Sequence, residues 1–161
     1  MVAGSLTIQV ESEVAAKRLW NALVKDHSLI AREMPELCAG VTFLEGNGGV
    51  GSIKQINFTS GATEFSYVKE RVDVLDEENL IYSYTDLEGG ELGKNLASAE
   101  FSVKMSPKAG GGSVVTQICN FDTLPGVPRE EAKLEAMKGQ LIALFKKLEA
   151  YVIANPTLYN A

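Results

Sequence analysis

Hydrophobic residues near the end of the chain follow a helical period. The segment between Pro128 and Pro156 is rich in helix formers, and the bracketing prolines are typical of a helix start and a helix end. Its apolar stripe, at spacings of three and four, consists of Met137, Leu141, Leu144, Phe145, Leu148 and Val152. At about 1.5 Å per residue this helix would be roughly 40 Å long. A stripe of that length needs a comparably large apolar partner surface.

The start of the chain predicts one strand and two short helices. Residues 5–11 alternate apolar and polar side chains, which indicates a strand with one buried face. Ser12 is a candidate N-cap for a helix whose apolar residues follow helical spacing over 14–23. A second helix is predicted at about 28–34. Pro35 ends it, because the residue before a proline avoids the helical region.

The middle of the chain predicts six more strands joined by short turns. Apolar and polar residues alternate in 41–45, 53–58, 65–75, 80–87, 97–105 and 113–121. Clusters rich in glycine, proline or acidic residues separate several of these segments, as expected for turns. We therefore predict a single α+β domain over residues 1–161, in which a curved sheet closes over one long helix.

Composition narrows the possible functions. With 15 basic and 21 acidic side chains the net charge is -6, so the field of the protein opposes nonspecific binding of nucleic acid, which we do not expect as a partner. The sequence shows no signal peptide and no stretch of transmembrane length, so we expect a cytoplasmic protein without membrane insertion. Cys38 and Cys119 lie in predicted core segments, where we expect buried thiols rather than a disulfide.

A glycine-rich loop separates the second and third predicted strands. It consists of Gly46, Asn47, Gly48, Gly49, Val50 and Gly51. The spacing matches G-x-G-x-x-G, but a dinucleotide site requires a helix directly after the loop, and a strand follows here. A Walker loop is excluded because Ser52 stands where the phosphate-binding lysine belongs. Two interpretations remain: a connection between antiparallel strands, or an anion site formed by the loop amides.

Two groups of side chains are unusual for a packed core. Lys54 shares a strand face with Ile56 and Phe58. Its stem therefore either extends to the rim of the sheet or brings the ammonium to a polar partner or ligand inside. Tyr82 and Tyr84 share one face of a later strand. Because buried tyrosine hydroxyls need hydrogen-bond partners, this face is either packed core or the wall of a cavity.

The chain resembles the plant pathogenesis-related class-10 family over essentially its whole length. The resemblance rests on Glu45-Gly-Asn-Gly-Gly-Val-Gly-Ser52 before Ile53-Lys54, Tyr67-Val-Lys-Glu-Arg-Val-Asp73, Tyr82-Ser-Tyr84, Glu88-Gly-Gly90 and Leu158-Tyr159-Asn160. It implies a helix-grip fold: a seven-stranded curved antiparallel sheet around the C-terminal helix, two short helices and a large internal cavity. It also implies a cytosolic, stress- or defence-related protein that binds small amphipathic plant metabolites such as flavonoids, cytokinins, steroids or fatty acids.

The resemblance also implies which residues line the cavity. Carried over by position, they are Cys38, Lys54, Phe58, Phe65, Tyr67, Tyr82, Tyr84, Phe101, Met137, Lys138 and Leu141. This set agrees with the inward strand faces derived above for Lys54, Phe58, Tyr82 and Tyr84. No motif indicates a metal site or a cofactor, so we expect neither, and we expect a monomer.

Catalysis is the alternative to ligand binding. Ribonuclease activity in the family that this chain resembles is assigned to the loop, a lysine, two glutamates and a tyrosine. Lys54, Glu149 and Tyr151 match, but Ala97 replaces one glutamate of the acid/base pair. Condensing relatives use a pocket lysine with acidic and tyrosine partners, a set that is only partly present.

Regulation of a phosphatase is a further alternative, because the related abscisic-acid receptors have this function. The gate and latch motifs of those receptors are missing from this sequence, which argues against such a regulator. We therefore expect a binding protein.

Overall fold

The structure, a computed structural model, describes residues 2–160. One antiparallel sheet contains β1 (Ala3–Ser12), β2 (Cys38–Glu45), β3 (Ile53–Phe58), β4 (Tyr67–Asp76), β5 (Ile81–Gly89), β6 (Leu96–Pro107) and β7 (Ser113–Thr123). The helices are α1 (Ala16–Trp20), which continues as a π-helical turn over Asn21–Lys25, α2 (Leu29–Glu33) and α3 (Glu131–Ala154). This architecture confirms the predicted seven-stranded helix-grip fold. Within the described range, these helices lack the combination of length and apolar composition that a membrane crossing requires.

The strand order is β1-β7-β6-β5-β4-β3-β2. Strands β2 to β7 follow one another as a meander, because strands joined by short connections usually pair with each other. The first strand pairs with the last, in register from Ala3 opposite Asp122 to Ser12 opposite Ser113. Irregularities interrupt the pairing of β2 with β3, of β4 with β5 and of β6 with β7. Bulges of this kind bend strands and increase their twist, which helps the sheet to curve around α3.

Helix α3 packs along the sheet through two core clusters. The larger cluster joins the two short helices to the second half of α3, and includes Leu19, Trp20, Leu29, Phe145, Leu148 and Val152. The smaller cluster joins the first half of α3 to β1, β6 and β7, and consists of Leu6, Ala99, Cys119, Phe121 and Leu134. Met137 and Leu141 pack against the smaller cluster but are only partly buried. The predicted apolar stripe therefore faces the sheet, with its first half covered less completely.

The starts of two helices differ from the prediction. Ser12 does not cap α1, because it is the last residue of β1 and its Oγ accepts a hydrogen bond from the backbone N–H of Val14 at 3.0 Å. Ala15 stands immediately before α1 instead. Helix α3 begins only at Glu131 and has 24 residues, which makes it roughly 36 Å long.

One arginine connects α1 to the end of the chain. The guanidinium of Arg18 donates hydrogen bonds to the carbonyl oxygens of Val152, Asn155 and Leu158, at 2.6, 2.7 and 2.9 Å. Carbonyl groups at a helix end lack their usual helical partners, so a cation there supplies donors and also complements the helix dipole. This contact holds the end of α3 against the short helices.

Candidate functional site

Lys54 lies on the inward face of β3 and meets a carboxylate there. It is the register partner of Glu70 on β4, and its Nζ lies 3.8 Å from Glu70 Oε1. The two side chains are 13% and 9% exposed. Of the two alternatives that the sequence leaves open for this lysine, the structure therefore shows a polar partner inside the fold.

A second carboxyl group lies next to this ion pair. Asp86 on β5 is the register partner of Glu70 on the side away from Lys54. Its Oδ1 is buried and has no hydrogen-bond partner within residues 2–160. Burial raises the pKa of Glu70 to about 7, against the opposing effect of Lys54, and burial together with the charge of Glu70 raises the pKa of Asp86 to about 7. Both carboxyl groups therefore change charge near neutral pH.

Aromatic rings lie beside these charges. Tyr84 stacks on Phe101 of β6, with ring centroids 4.9 Å apart and an interplanar angle of 13°. The centroids of Tyr82 and Tyr84 are 5.4 Å apart, and Lys54 Nζ lies 5.6 Å from the centroid of Tyr82. The Tyr82 hydroxyl is buried and interacts with Lys54, without a closer hydrogen-bond partner in the described part of the chain. The interior thus combines flat apolar surfaces with a buried carboxylate oxygen, Asp86 Oδ1, that the described chain leaves unpaired.

Several inward-facing residues keep accessible surface although they lie deep in the fold. Tyr84 and Phe101 are only partly buried by area. Desolvation is nevertheless the main cause that raises the pKa of the Tyr84 hydroxyl well above its ordinary value. Met137 and Leu141 on α3 are also incompletely covered. Because protein interiors are otherwise close-packed, accessible surface at deep residues indicates internal space, here between the sheet and the first half of α3.

A pocket of about 300 Å³ lies at the start of α3. Its apolar wall includes Leu96, Phe121, Leu134 and Met137. These four residues also belong to the smaller core cluster or pack against it, as does Phe101. The pocket therefore borders the same group of side chains that carries the Tyr84 and Phe101 stack.

The structure brings six of the predicted cavity residues to this interior: Lys54, Tyr82, Tyr84, Phe101, Met137 and Leu141. Two others are register partners of each other: Cys38 is the first residue of β2, and Phe58 is the last residue of β3. The Cys38 thiol donates to the carbonyl oxygen of Gly40 at 3.6 Å. Cys38 and Cys119 are both free and buried, which confirms the prediction of buried thiols.

Tyr67 lies on the other face of the sheet. On β4 it alternates with the buried residues Val68 and Glu70, and its partner on β3 is Asn57. Its hydroxyl donates a hydrogen bond to Glu88 Oε2 at 2.6 Å. The phenol is therefore on the outer face, apart from Tyr82 and Tyr84.

Two further predicted residues lie near the surface. Phe65 precedes β4 instead of lying within it, and its ring centroid is 4.8 Å from Lys94 Nζ. Lys138 on α3 forms a surface ion pair with Glu135 at 3.4 Å. Neither contact connects these side chains to the ion pair between β3 and β4.

The glycine-rich loop connects β2 to β3 and uses several of its amides within the protein. The N–H of Gly48 donates to Ser52 Oγ at 3.0 Å, and the N–H of Gly51 donates to the carbonyl oxygen of Val72 at 2.8 Å. Gly48 has a φ of +114°, and a Cβ there would lie 2.6 Å from His27 Nε2. These contacts favour the structural interpretation of the loop over the anion site.

The residues that match the ribonuclease set have separate partners. Lys54 belongs to the ion pair described above. Glu149 is buried on α3, and its Oε1 lies 3.3 Å from Lys146 Nζ. Tyr151 interacts with Arg32 instead. The three side chains thus take part in three different interactions.

Two residues of the site are missing from the sequence predictions. Glu70 and Asp86 are absent from the predicted set, because a charged residue on a strand is ordinarily expected to face solvent. The period of two contains the signal: Glu70 lies two residues after the buried Val68 and two before the buried Val72, on the same strand face, and Asp86 follows Tyr84 at the same spacing.

Comparison with known proteins agrees with this architecture. Residues 1–155 match the family model "Pathogenesis-related protein Bet v 1 family". "Pathogenesis-related protein 1" of Asparagus officinalis is 38% identical over 160 residues, and "Major allergen Pru ar 1" of Prunus armeniaca is 37% identical over 160 residues. The alignments cover 99% and 98% of this chain and 99% of each relative. The crystal structure of Ara h 8.0201 is similar with a TM-score of 0.82 at 26% identity, over 95% of this chain and 99% of that one. The chain belongs to the pathogenesis-related Bet v 1 family.

Proposed function

We propose that the protein carries or senses a small amphipathic plant metabolite in the space between the sheet and α3. The family and its pathogenesis-related and allergen members support a defence-related ligand-binding protein. Flavonoids, cytokinins, steroids and fatty acids are the ligand classes that we propose from the resemblance. A cytoplasmic location and a monomeric state are part of the same proposal.

One observation carries this proposal: the deep Tyr84 and Phe101 stack keeps accessible surface. A fully packed core would cover both rings. Stacked rings offer a flat apolar surface to a planar ligand, while Lys54, Glu70 and Asp86 supply polar groups that orient one end of it. The pocket at the start of α3 is the proposed entrance.

The expected affinity is modest. Burying about 300 Å² of apolar ligand surface at about 25 cal/mol/Å² contributes roughly 7.5 kcal/mol. Association costs about 4 to 15 kcal/mol in lost freedom of motion, so only a small surplus remains. Apolar burial alone therefore supports at best roughly millimolar, permissive binding, and any tighter binding depends on the polar groups of the cavity.

Binding of 1-anilinonaphthalene-8-sulfonate, followed by its displacement with flavonoids and cytokinins, tests the function. Ala136 lines the pocket, and Ala132 is an exposed alanine one turn earlier on α3. We expect saturable fluorescence, slower uptake by Ala136→Trp and unchanged uptake by Ala132→Trp. Failure of every probe to bind saturably would overturn the carrier function. Equal uptake by both variants would place the entrance elsewhere.

A further inference from the structure

We propose that the interior recognises a cationic amine: the ammonium of an otherwise apolar ligand binds Asp86, and its hydrocarbon part lies against Tyr84 and Phe101. This inference rests on the proposed function and adds to it the charge of the preferred ligand. It follows from an imbalance between the inward-facing charges and from a buried carboxylate oxygen that lacks a partner.

The charges around Asp86 do not balance. Lys54 is paired with Glu70 at 3.8 Å, and Asp86 is the register partner of Glu70 on the next strand. The other titratable groups that interact with Asp86 are Tyr84 on its own strand and Cys119 on β7, and neither is a cation. Phe101 of β6 stacks on Tyr84, and the apolar side chains Ala99, Met137 and Leu141 belong to or pack against the same cluster as Cys119. When Glu70 and Asp86 are both ionised, the group therefore has one negative charge in excess.

A buried carboxylate oxygen leaves the group open to a further hydrogen-bond donor. Asp86 Oδ1 is buried and has no hydrogen-bond partner in the part of the chain that the structure describes. Tyr82 is 6% exposed, and its hydroxyl interacts with Lys54, whose Nζ lies 5.6 Å from the ring centroid. Because buried polar atoms are nearly always hydrogen-bonded, unpaired ones mark a place for a donor or acceptor from outside the chain. A carboxylate oxygen accepts only, so the missing partner of ionised Asp86 is a donor.

The surroundings favour a cation over a neutral donor. A charge-assisted hydrogen bond is stronger than a neutral one, and the excess negative charge adds to this preference. The rim of the pocket has three carboxylates, Glu64, Glu91 and Glu130, against the two cations Arg129 and Lys133. The net charge of -6 attracts cations toward the protein from a distance. The Tyr84 and Phe101 rings supply the apolar surface that a simple metal cation or ammonium ion would leave unused.

Binding of an amine depends on pH, because only ionised Asp86 attracts a cation. Burial and Glu70 raise the pKa of Asp86 to about 7, and Glu70 titrates near the same pH beside the cation Lys54. The ionised fraction of a group with this pKa falls about tenfold between pH 8 and pH 6. We therefore expect the amine to bind roughly tenfold more weakly at pH 6, whereas a neutral ligand of the same shape is affected little.

Calorimetric titration with three matched probes tests the inference. The probes are 1-naphthylmethylammonium, neutral 1-naphthylmethanol and anionic 1-naphthylacetate, which share one ring system and differ in charge. Two variants replace an acid by its amide: Asp86→Asn inside the fold, and Glu100→Gln at an exposed position on β6. At pH 8 we expect the wild type and Glu100→Gln to bind the ammonium about 10- to 100-fold more tightly than the alcohol. Asp86→Asn is expected to lose this preference and to keep its affinity for the alcohol.

Several results would overturn the inference. Equal affinity for the amine and the alcohol, or a preference that survives in Asp86→Asn, would show that Asp86 does not recognise the cation. Tighter binding of the acetate would assign recognition to Lys54. In each of these cases the probes still bind, so the proposed carrier function stands. If none of the three probes binds, the carrier function and the amine inference both fail. If Asp86→Asn fails to fold, the pH series on the wild type decides, since an amine affinity that is equal at pH 6 and pH 8 contradicts the inference.

Discussion

Glu70 lies between two charged neighbours, with Lys54 as its register partner on β3 and Asp86 as its register partner on β5. The three side chains thus form a row across three adjacent strands on the inward face of the sheet. Enclosing such a row costs free energy, because each charge loses water and only one ion pair offsets the loss. Ionisable groups with shifted pKa values in an enclosed site are candidates for function.

The row makes the stability of the protein fall as pH rises toward neutrality. The carboxyl group of Asp86 ordinarily titrates at 3.8 and in the folded protein at about 7, so over this range the folded state holds a proton that the unfolded chain has lost. Stability therefore decreases with increasing pH across this window. Between pH 5 and pH 8 we expect Asp86→Asn to gain about 2 to 3 kcal/mol of unfolding free energy relative to the wild type.

Urea unfolding at several pH values measures this difference. Glu100→Gln removes a carboxylate from the exposed face of β6 and serves as the control, with a stability curve parallel to that of the wild type. Parallel curves for Asp86→Asn and the wild type would show that the Asp86 carboxyl is solvated in the folded protein.

Replacement of Arg18 is expected to loosen the end of α3. Arg18→Met removes donors from three carbonyl oxygens, which we expect to lower the unfolding free energy by about 2 kcal/mol. Lys17→Met is the matched control, because Lys17 is exposed and has a 3.7 Å contact with Glu77. We expect that change to cost less than about 0.5 kcal/mol. Equal losses in the two variants would mean that the Arg18 contacts contribute nothing specific.

Two neighbouring glycines of the β2–β3 loop should respond differently to alanine. Gly48→Ala forces a Cβ to within 2.6 Å of His27 Nε2 at a φ of +114°, so we expect a loss of about 2 kcal/mol or more in unfolding free energy. At Gly49 an added Cβ meets no heavy atom within 4 Å, and Gly49→Ala should change stability by less than about 0.5 kcal/mol. Thermal and chemical unfolding of the pair measure the contrast. A neutral Gly48→Ala would contradict the tight packing of His27 on the loop.

The thiol of Cys119 should be almost inert in the folded protein. Burial, with a smaller contribution from Asp86, raises its pKa to about 12, so very little thiolate exists at pH 8. We expect alkylation by iodoacetamide to be about a hundredfold slower, or more, than for the urea-unfolded chain. Peptide mapping by mass spectrometry resolves Cys119 from Cys38. Rapid labelling of native Cys119 would indicate frequent opening of β7.

Much of the fold follows from local patterns in the sequence. Period-two alternation in β1 and the three-and-four spacing of Phe145, Leu148 and Val152 are each determined by burial of one face, so the sequence predicts them directly. Helix ends are less predictable. Ser12 looks like a cap, but pairing with Ser113 extends β1 through it. The Arg18 contacts join residues 134 to 140 positions apart, which no local pattern contains.

The site is only partly predictable for a related reason. The spacing of Lys54 and of Tyr84 indicates an inward face, and the structure places both side chains there. Glu70 and Asp86 obey the same period, but charge normally argues for exposure, so only the pairing of three strands shows that they belong together. Tyr67 has the opposite parity on β4 and turns outward to Glu88.

The proposed function requires ligand to enter the space between the sheet and α3. Nuclear Overhauser effects between a saturating 1-naphthylmethanol probe and the labelled protein test it most directly, with Phe101 and Met137 as inside reporters and Tyr67 as the outside one. The account predicts contacts from the naphthalene protons to the ring of Phe101 and the methyl group of Met137, and none to Tyr67. Contacts confined to exposed residues, with Phe101 and Met137 unchanged, would contradict it.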